Sequence, residues 1–338
     1  MKPTIYDVAK EAGVAISTVS KVINKTGSIG KETKMKVLDT IRKLEYQPSV
    51  VASALTKKRI QTIGLLVPNI ANPFMAEIAR SIEDCGRALG FSLIICSTDN
   101  DLDKEIEYIS ILKQKYIDGI IIATGLKNDN AIKELIDSKI PVVMLSRDVP
   151  SLAVNTVVVD DFLGAYQATW FLKELEHEKI AMITEDVNFP AVKARVLGYQ
   201  EALEEAGIRY DEKLVIKNNA TYIDGIRAAQ ELLNLPDPPT AIFASTEVLA
   251  IGAIRGAREL GFHVPKDLSV VGFDDTILAS MFDPPITTVA QPIHDMGKKV
   301  IELLCDEINE SKKVKQRIVL SPELVVRGTT SRNEKSLS

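Results

Sequence analysis

TIYDVAKEAGVAISTVSKVIN, Thr4 to Asn24, carries two apolar periods separated by a glycine. Thr4 followed three residues later by Asp7 is a capping pair, so a helix is expected to begin there. Ile5, Val8, Ala9 and Ala12 then fall at i, i+3, i+4 and i+7, one stripe along two turns. Gly13 stands where a helix C-terminus takes a residue tolerant of positive φ. A second helix follows, with Val19, Val22 and Ile23 as its inner side. Small Ala9 and turn-forming Gly13, four residues apart, let one helix cross closely over the other. Two short helices joined in this way make a helix-turn-helix, whose second helix lies in the DNA major groove.

Ser17, Thr18, Ser20, Lys21 and Asn24 fall outside both stripes and belong to the exposed side of the second helix. An ordinary amphipathic hairpin with a solvated face would show the same stripes. The glycine and small-residue positions and the N-terminal location favour DNA binding. Charge agrees. Residues 1–60 hold twelve Lys or Arg against five acids, a formal +7, while the whole chain is −5, which leaves −12 on the remainder. A basic head on an acidic body marks a nucleic-acid module attached to something else.

Beyond the loop from Asn24 to Gly30, Lys31 opens a third helix on which Val37, Ile41 and Leu44 close a small core. Gln47-Pro48-Ser49 is expected to end it, because proline disfavours the helical conformation of its predecessor. Pro48 to Arg59, PSVVASALTKKR, then reads as a short helix with Val51, Ala52 and Leu55 on one face, or as a plain connector. Such a helix is marginal alone in water.

At 338 residues the chain is too long for one core and suits two to three domains. Its 46% hydrophobic and 26% charged residues describe a soluble globular protein. The start, MKPTIYDVAK, has no apolar h-region, and no window approaches the ~18 apolar residues of a membrane span. A cytoplasmic protein without membrane association is expected. Cys85, Cys96 and Cys305 are widely spaced in apolar surroundings and read as reduced core residues.

From Gln61 onward short apolar runs alternate with amphipathic helices, the pattern of parallel sheets with crossover helices. Nine strands are expected, among them Ile63–Val67, Gly119–Ala123, Ile180–Ile183 and Leu268–Gly272. That is more than one sheet of this style usually needs, so two doubly wound lobes are predicted. Doubly wound sheets bind ligands at the carboxyl ends of their strands. This rule nominates Asn72, Phe74 and Met75; Thr124 and Gly125; Ser146 and Arg147; Thr246 and Glu247; and Asp274 with Asp275. Arg195 joins them from a helix whose other faces read as core and solvent.

TIYDVAKEAGVAISTVSKVIN resembles the headpiece of the lactose-repressor family of bacterial transcription regulators, and the likeness extends over nearly the whole chain. Within that family, ICSTDND (95–101), LKQKYIDGIIIATG (112–125) and FDDTILA (273–279) are similar to a degradation-activator type found in bacilli. The resemblance implies an α/β fold of two doubly wound, periplasmic-binding-protein-like lobes preceded by an all-α headpiece. The headpiece would span 1–47 and a hinge helix 48–60. A core of 61–330 would follow, divided into lobe one, 61–160 plus 291–320, and lobe two, 161–290 plus 321–330. A tail of 331–338 lacks the leucine heptads by which some members form tetramers.

A homodimer binding a pseudo-palindromic operator, in a repressor tuned by a small-molecule effector between the lobes, is therefore expected. Ile16 and Ser17 are the family positions that reach base edges, and Thr4 and Tyr6 support the phosphate side. Lys21 replaces the usual arginine, and Ala15 replaces a capping serine. Paired hinge helices would enter the minor groove, with Leu55 wedging a base step and Ala52 allowing close approach.

In the core, Arg195 matches an arginine that anchors effector oxygens and Asp274 an acid that accepts from ligand hydroxyls. Ser146, Ala220 and Thr246-Glu247 depart from the family pattern, with Tyr222 a displaced substitute for a missing aromatic. These departures, and an arginine needing a partner, favour an anionic metabolite, or an acid such as Glu247 closing the empty site. No catalytic motif, metal spacing or cofactor signature is present. A transport receptor would need a secretion signal, and an enzyme a catalytic constellation.

Overall fold

The computed structural model describes residues 3–24, 26–46, 59–125, 128–185, 189–311 and 314–333. Asn24 is placed in its helix, but its side chain is not among the described ones. The expected hinge, including Ala52 and Leu55, lies outside the described residues up to position 58, as does the end of the tail. The chain divides into two units, Met1–Gln61 and Thr62–Ser338.

The first unit holds three helices: α1 (Ile5–Ala12), α2 (Ile16–Asn24) and α3 (Lys31–Lys43). Thr4 donates from both its amide and its hydroxyl to the Asp7 carboxylate, at 2.8 and 2.7 Å. Gly13 ends α1 with φ of 62°, a conformation that an added Cβ would strain. Val8, Ala9, Ala12, Val19, Val22 and Val37 form the core, with Ile5, Ile23, Ile41 and Leu44 packed against it. The third helix stops at Lys43, earlier than proline at 48 requires. Glu45 takes a left-handed φ of 48° and turns Tyr46 back into the core.

In the second unit, the first sheet collects β1 (Thr62–Val67), β2 (Ser92–Ser97), β3 (Gly119–Ile122), β4 (Val142–Leu145), β5 (Asn155–Val159) and β11 (Arg317–Leu320). The second collects β6 (Ile180–Glu185), β7 (Val215–Asn218), β8 (Ala241–Ala244), β9 (Ser269–Asp274), β10 (Thr287–Ala290) and β12 (Glu323–Val325). Their orders are β11-β5-β4-β3-β1-β2 and β12-β10-β9-β8-β6-β7. Each therefore repeats the order 2-1-3-4-5 with one late strand added at the edge. All pairings are parallel except β10 with β12.

Helices cover both faces of each sheet, which is why β3, β4, β5, β8 and β9 are buried along their whole length. On the first sheet, Ile78 and Ile82 of α4 (Pro73–Ala88) and Val300 and Leu304 of the late helix Ile293–Ile308 share one core. Leu112 of α5 (Leu102–Gln114) and Leu135 of α6 (Asp129–Asp137) fill the other. On the second sheet, α7 (Asp161–Glu174) and α8 (Pro190–Glu205) cover one face through Leu172, Tyr199 and Leu203. Leu232 of α9 (Tyr222–Leu233) and Leu249 of α10 (Glu247–Glu259) cover the other. A short α11 (Ile277–Met281) and α12, the late helix Ile293–Ile308, complete the set. The chain passes to the second sheet after Val159, back after Ala290, and across again after Leu320.

Candidate functional site

On the first unit, the inner stripes of α1 and α2 leave one polar face outward. Ile16, Ser17 and Lys21 are exposed along α2, with Thr18 and Ser20 half-buried. Tyr6 is 68% exposed and Ile16 41%. The Ala15 carbonyl accepts from the amides of Thr18 and Val19, so Ala15 caps α2 without a side-chain acceptor. The first amides of α2 stay available to an anion such as a phosphate.

The second unit holds a cavity of about 130 Å³, partly open to solvent. It lies at the carboxyl ends of both sheets, where 2-1-3-4-5 strand orders switch direction and leave a crevice. Asn72 caps α4, its Oδ1 accepting from the amides of Phe74 and Met75, and all three line the cavity. Ser146, with φ of 55°, follows β4 at the rim. From the second sheet come Thr246, whose hydroxyl accepts from the Leu249 amide, and Asp274. Asp274 and Asp275 both have positive φ, 120° and 62°. Backbone held in that region by its surroundings is commonest at functional sites.

Arg195 rises from the first turns of α8 and is 7% exposed. Its Nε and Nη2 lie 2.8 and 2.7 Å from one Asp161 oxygen, and Nη1 donates to the Ser245 carbonyl at 2.5 Å. The guanidinium carbon stands over the Phe273 ring, 3.6 Å from its centroid. Burial opposes its charge, yet Asp161, Asp274 and Glu185 together hold its pKa above the ordinary value. Gly198 makes this possible: a Cβ there would stand 2.2 Å from the Phe162 carbonyl oxygen, so α8 lies directly on α7. Burial pushes the Asp274 carboxyl up to about 7, against the pull of Arg195 and a 2.7 Å bond from the Gln291 amide.

Of the nominated residues, Thr124, Arg147, Glu247 and Asp275 do not line the cavity, and Asp275 pairs with Arg327 at 2.6 Å. The Thr124 hydroxyl donates to buried Glu105 at 2.5 Å, and Arg147 is buried with Nη2 on Asp129 at 2.7 Å. The left-handed turn at Ser146 sends the next side chain away from the cleft. Glu247 does not close the site either. It is 1% exposed behind the wall and accepts from the amide and hydroxyl of Thr276, with burial lifting its pKa to about 7. The acid that pairs with Arg195 is Asp161, so the arginine that called for an anionic effector already has its counter-charge. Ala220 and Tyr222 are absent from the lining, and Phe189 supplies an aromatic ring there instead, packed over Gly125.

Five lining residues with polar or aromatic side chains were not nominated from the sequence: Asn100, Asp161, Glu185, Phe189 and Gln291. Three of them follow or end a strand (Asp161 after β5, Glu185 ending β6, Gln291 after β10), so the carboxyl-end rule could have found them. Among the described residues, no group of three or more His, Cys, Asp or Glu is placed to hold a metal ion. No described helix is long and apolar enough to cross a membrane.

Residues 4–49 match the bacterial regulatory proteins of the lacI family, and residues 169–330 a periplasmic binding protein-like domain. The HTH-type transcriptional regulator DegA of Bacillus subtilis is 48% identical over 334 residues, 98% of this chain and 99% of DegA. The chain belongs to the lacI family of bacterial regulatory proteins. Catabolite control protein A of Priestia megaterium is 36% identical over 96% of the chain and 98% of its own length. Among solved structures, the lac repressor dimer bound to operator and the anti-inducer ONPF superposes with a TM-score of 0.88 at 26% identity, covering 98% of this chain and 100% of that one. A CelR–cellobiose complex has a TM-score of 0.74 at 33% identity, covering 97% and 99%. As a lacI-family member the chain is a transcription regulator, not an enzyme, with a DNA-binding helix-turn-helix and an effector-binding domain. The α/β reading, two parallel-sheet lobes behind a helical head, is borne out by the fold and by these relatives.

Proposed function

We propose that this regulator is a cytoplasmic homodimeric repressor that holds a pseudo-palindromic operator and whose DNA affinity responds to a small metabolite in the interlobe cavity. The observation that carries the DNA half is the outward face of α2, with exposed Ile16, Ser17 and Lys21 on a head of formal +7. Ile16 would offer apolar contact to a thymine methyl, and Ser17 and Ser20 would bond to base or phosphate. Thr4, Tyr6, Thr18, Lys21, Asn24 and the open amides of α2 would fix the register on the backbone. Residues 1–47 would serve as the headpiece, 48–60 as a hinge with Ala52 and Leu55 at the minor groove, and 61–330 as the core.

For the effector half, Asn72, Phe74, Met75, Ser146, Arg195, Thr246 and Asp274 line a partly open cavity in which a few polar groups converge among apolar ones, as in sites for small polar metabolites. The cellobiose and anti-inducer complexes of the relatives support this placement. Selection of random DNA fragments by the purified full chain, followed by sequencing, tests the proposal. A symmetric site bound with two protomers is expected. Fragments without a shared symmetric sequence would overturn it.

A further inference from the structure

The cavity is unequal in charge. Among the described residues its lining contains three carboxyls, Asp161, Glu185 and Asp274, and one cation, Arg195. Arg195 is already paired with Asp161, and Asp274 is held by Gln291. Glu185 ends β6, faces the cavity, and has no hydrogen-bond or ion-pair partner among the described residues. The nearest cation, Arg195, acts on Glu185 only from a distance and is already paired with Asp161, so ionising this half-buried carboxyl is costly and the charge it lacks at contact distance is positive. An anionic ligand would meet two carboxyl groups and a neutralised arginine. A neutral one would leave the excess as it stands. The rings of Phe74 and Phe189 also line the space, and aromatic faces attract cations.

We infer that the effector carries a protonated amine, with Glu185 as its counter-ion and Asp274 as a second acceptor. This rests on the reading of the cavity as the effector site. An ammonium at that point donates to Glu185 and Asp274, while the remaining Arg195 N–H groups and Asn72 hold hydroxyl or carbonyl oxygens of the same small frame.

The test is thermal unfolding of the full chain at pH 7 with millimolar glucosamine, 1,4-diaminobutane, glucose and glucose 6-phosphate as probes. At least one amine should raise the core transition by roughly 3 °C or more and exceed both glucose and its phosphate. Glu185→Gln should remove most of that rise, and Glu185→Asp should keep part of it. The ligand-free transition of each variant reports whether it folds. The inference is overturned if neither amine exceeds glucose, or if the amine response is unchanged in Glu185→Gln. Ala191→Trp, which fills the cavity, separates this failure from that of the site itself. A glucose or phosphate response that Ala191→Trp abolishes would keep the effector site and discard the amine. An amine response that survives Ala191→Trp would discard both.

Discussion

Arg195 shows how a residue's type and its role can part company. Its sequence position suggested a cation awaiting an anion, and the fold supplies that anion from within as Asp161. Removing one partner of a buried pair costs far more than the pair contributes, because the survivor is left charged and unpaired. Asp161→Asn keeps the shape and removes the charge, so core stability should fall by about 3 kcal/mol. An unaltered urea midpoint for the core transition would contradict this. Asp274 gives a pH signature. Its native pKa, about 7, lies above the ordinary carboxyl value of 3.8, so between those limits the native state holds more protons than the unfolded chain. This acid therefore makes the core less stable as pH rises from about 4 to about 7, with the loss complete above 7. Asp274→Asn, which still accepts from Gln291, should gain stability over wild type at pH 8, and the gain should shrink at pH 5. An equal difference at both pH values would mean that Asp274 does not titrate there. His177 acts with the opposite sign: burial lowers its pKa against the pull of the Ser331 carbonyl, so the stability gained by burying the neutral ring is lost as pH falls below 6.5.

At the scale of elements, the buried strands were the most legible part of the chain. Runs such as Gly119–Ile122 and Val142–Leu145 are continuous because helices cover both faces. The strands that escaped, β7, β11 and β12, are short edge pieces with mixed burial, and nothing in their sequence forces an apolar run. Strand ends were harder again. Both β6 and β9 extend two residues beyond the ends expected from sequence, Ile183 and Gly272, and the added ends bring Glu185 and Asp274 to the cavity. Sequence named the strand ends that border the crevice but not which way each side chain turns. Ser146 faces in and Arg147 away because of one left-handed residue. The α7–α8 contact belongs to the same scale, since it sets the distance from Asp161 to Arg195. Gly198→Ala puts a methyl into the Phe162 carbonyl, and overpacking of this kind costs about 1–3 kcal/mol. The helices should separate and the ion pair lengthen, so any ligand response should weaken together with stability. A variant of wild-type stability and response would show that the helices can slide without consequence.

At the scale of the molecule, charge divides the labour. The first 60 residues carry a formal +7 and the rest −12, so the body repels the phosphates that the head attracts. Attraction to phosphate releases condensed counter-ions, which makes affinity fall as a power of salt concentration. If only the head makes those contacts, two consequences are fixed. A core of residues 62–338 should fold, melt in one core transition and retain no operator at any salt, because its own charge is unfavourable. In the full chain, Lys21→Ala should reduce the slope of log affinity against log salt by about one for each bound head, with similar weakening across operator variants. Ile16→Ala should instead leave that slope unchanged and alter which half-site is preferred, since an apolar side chain displaces no counter-ion. The two readouts come from one set of salt titrations on wild type and both variants. A changed slope in Ile16→Ala, or an unchanged one in Lys21→Ala, would mean that α2 does not meet the DNA with the face assigned to it.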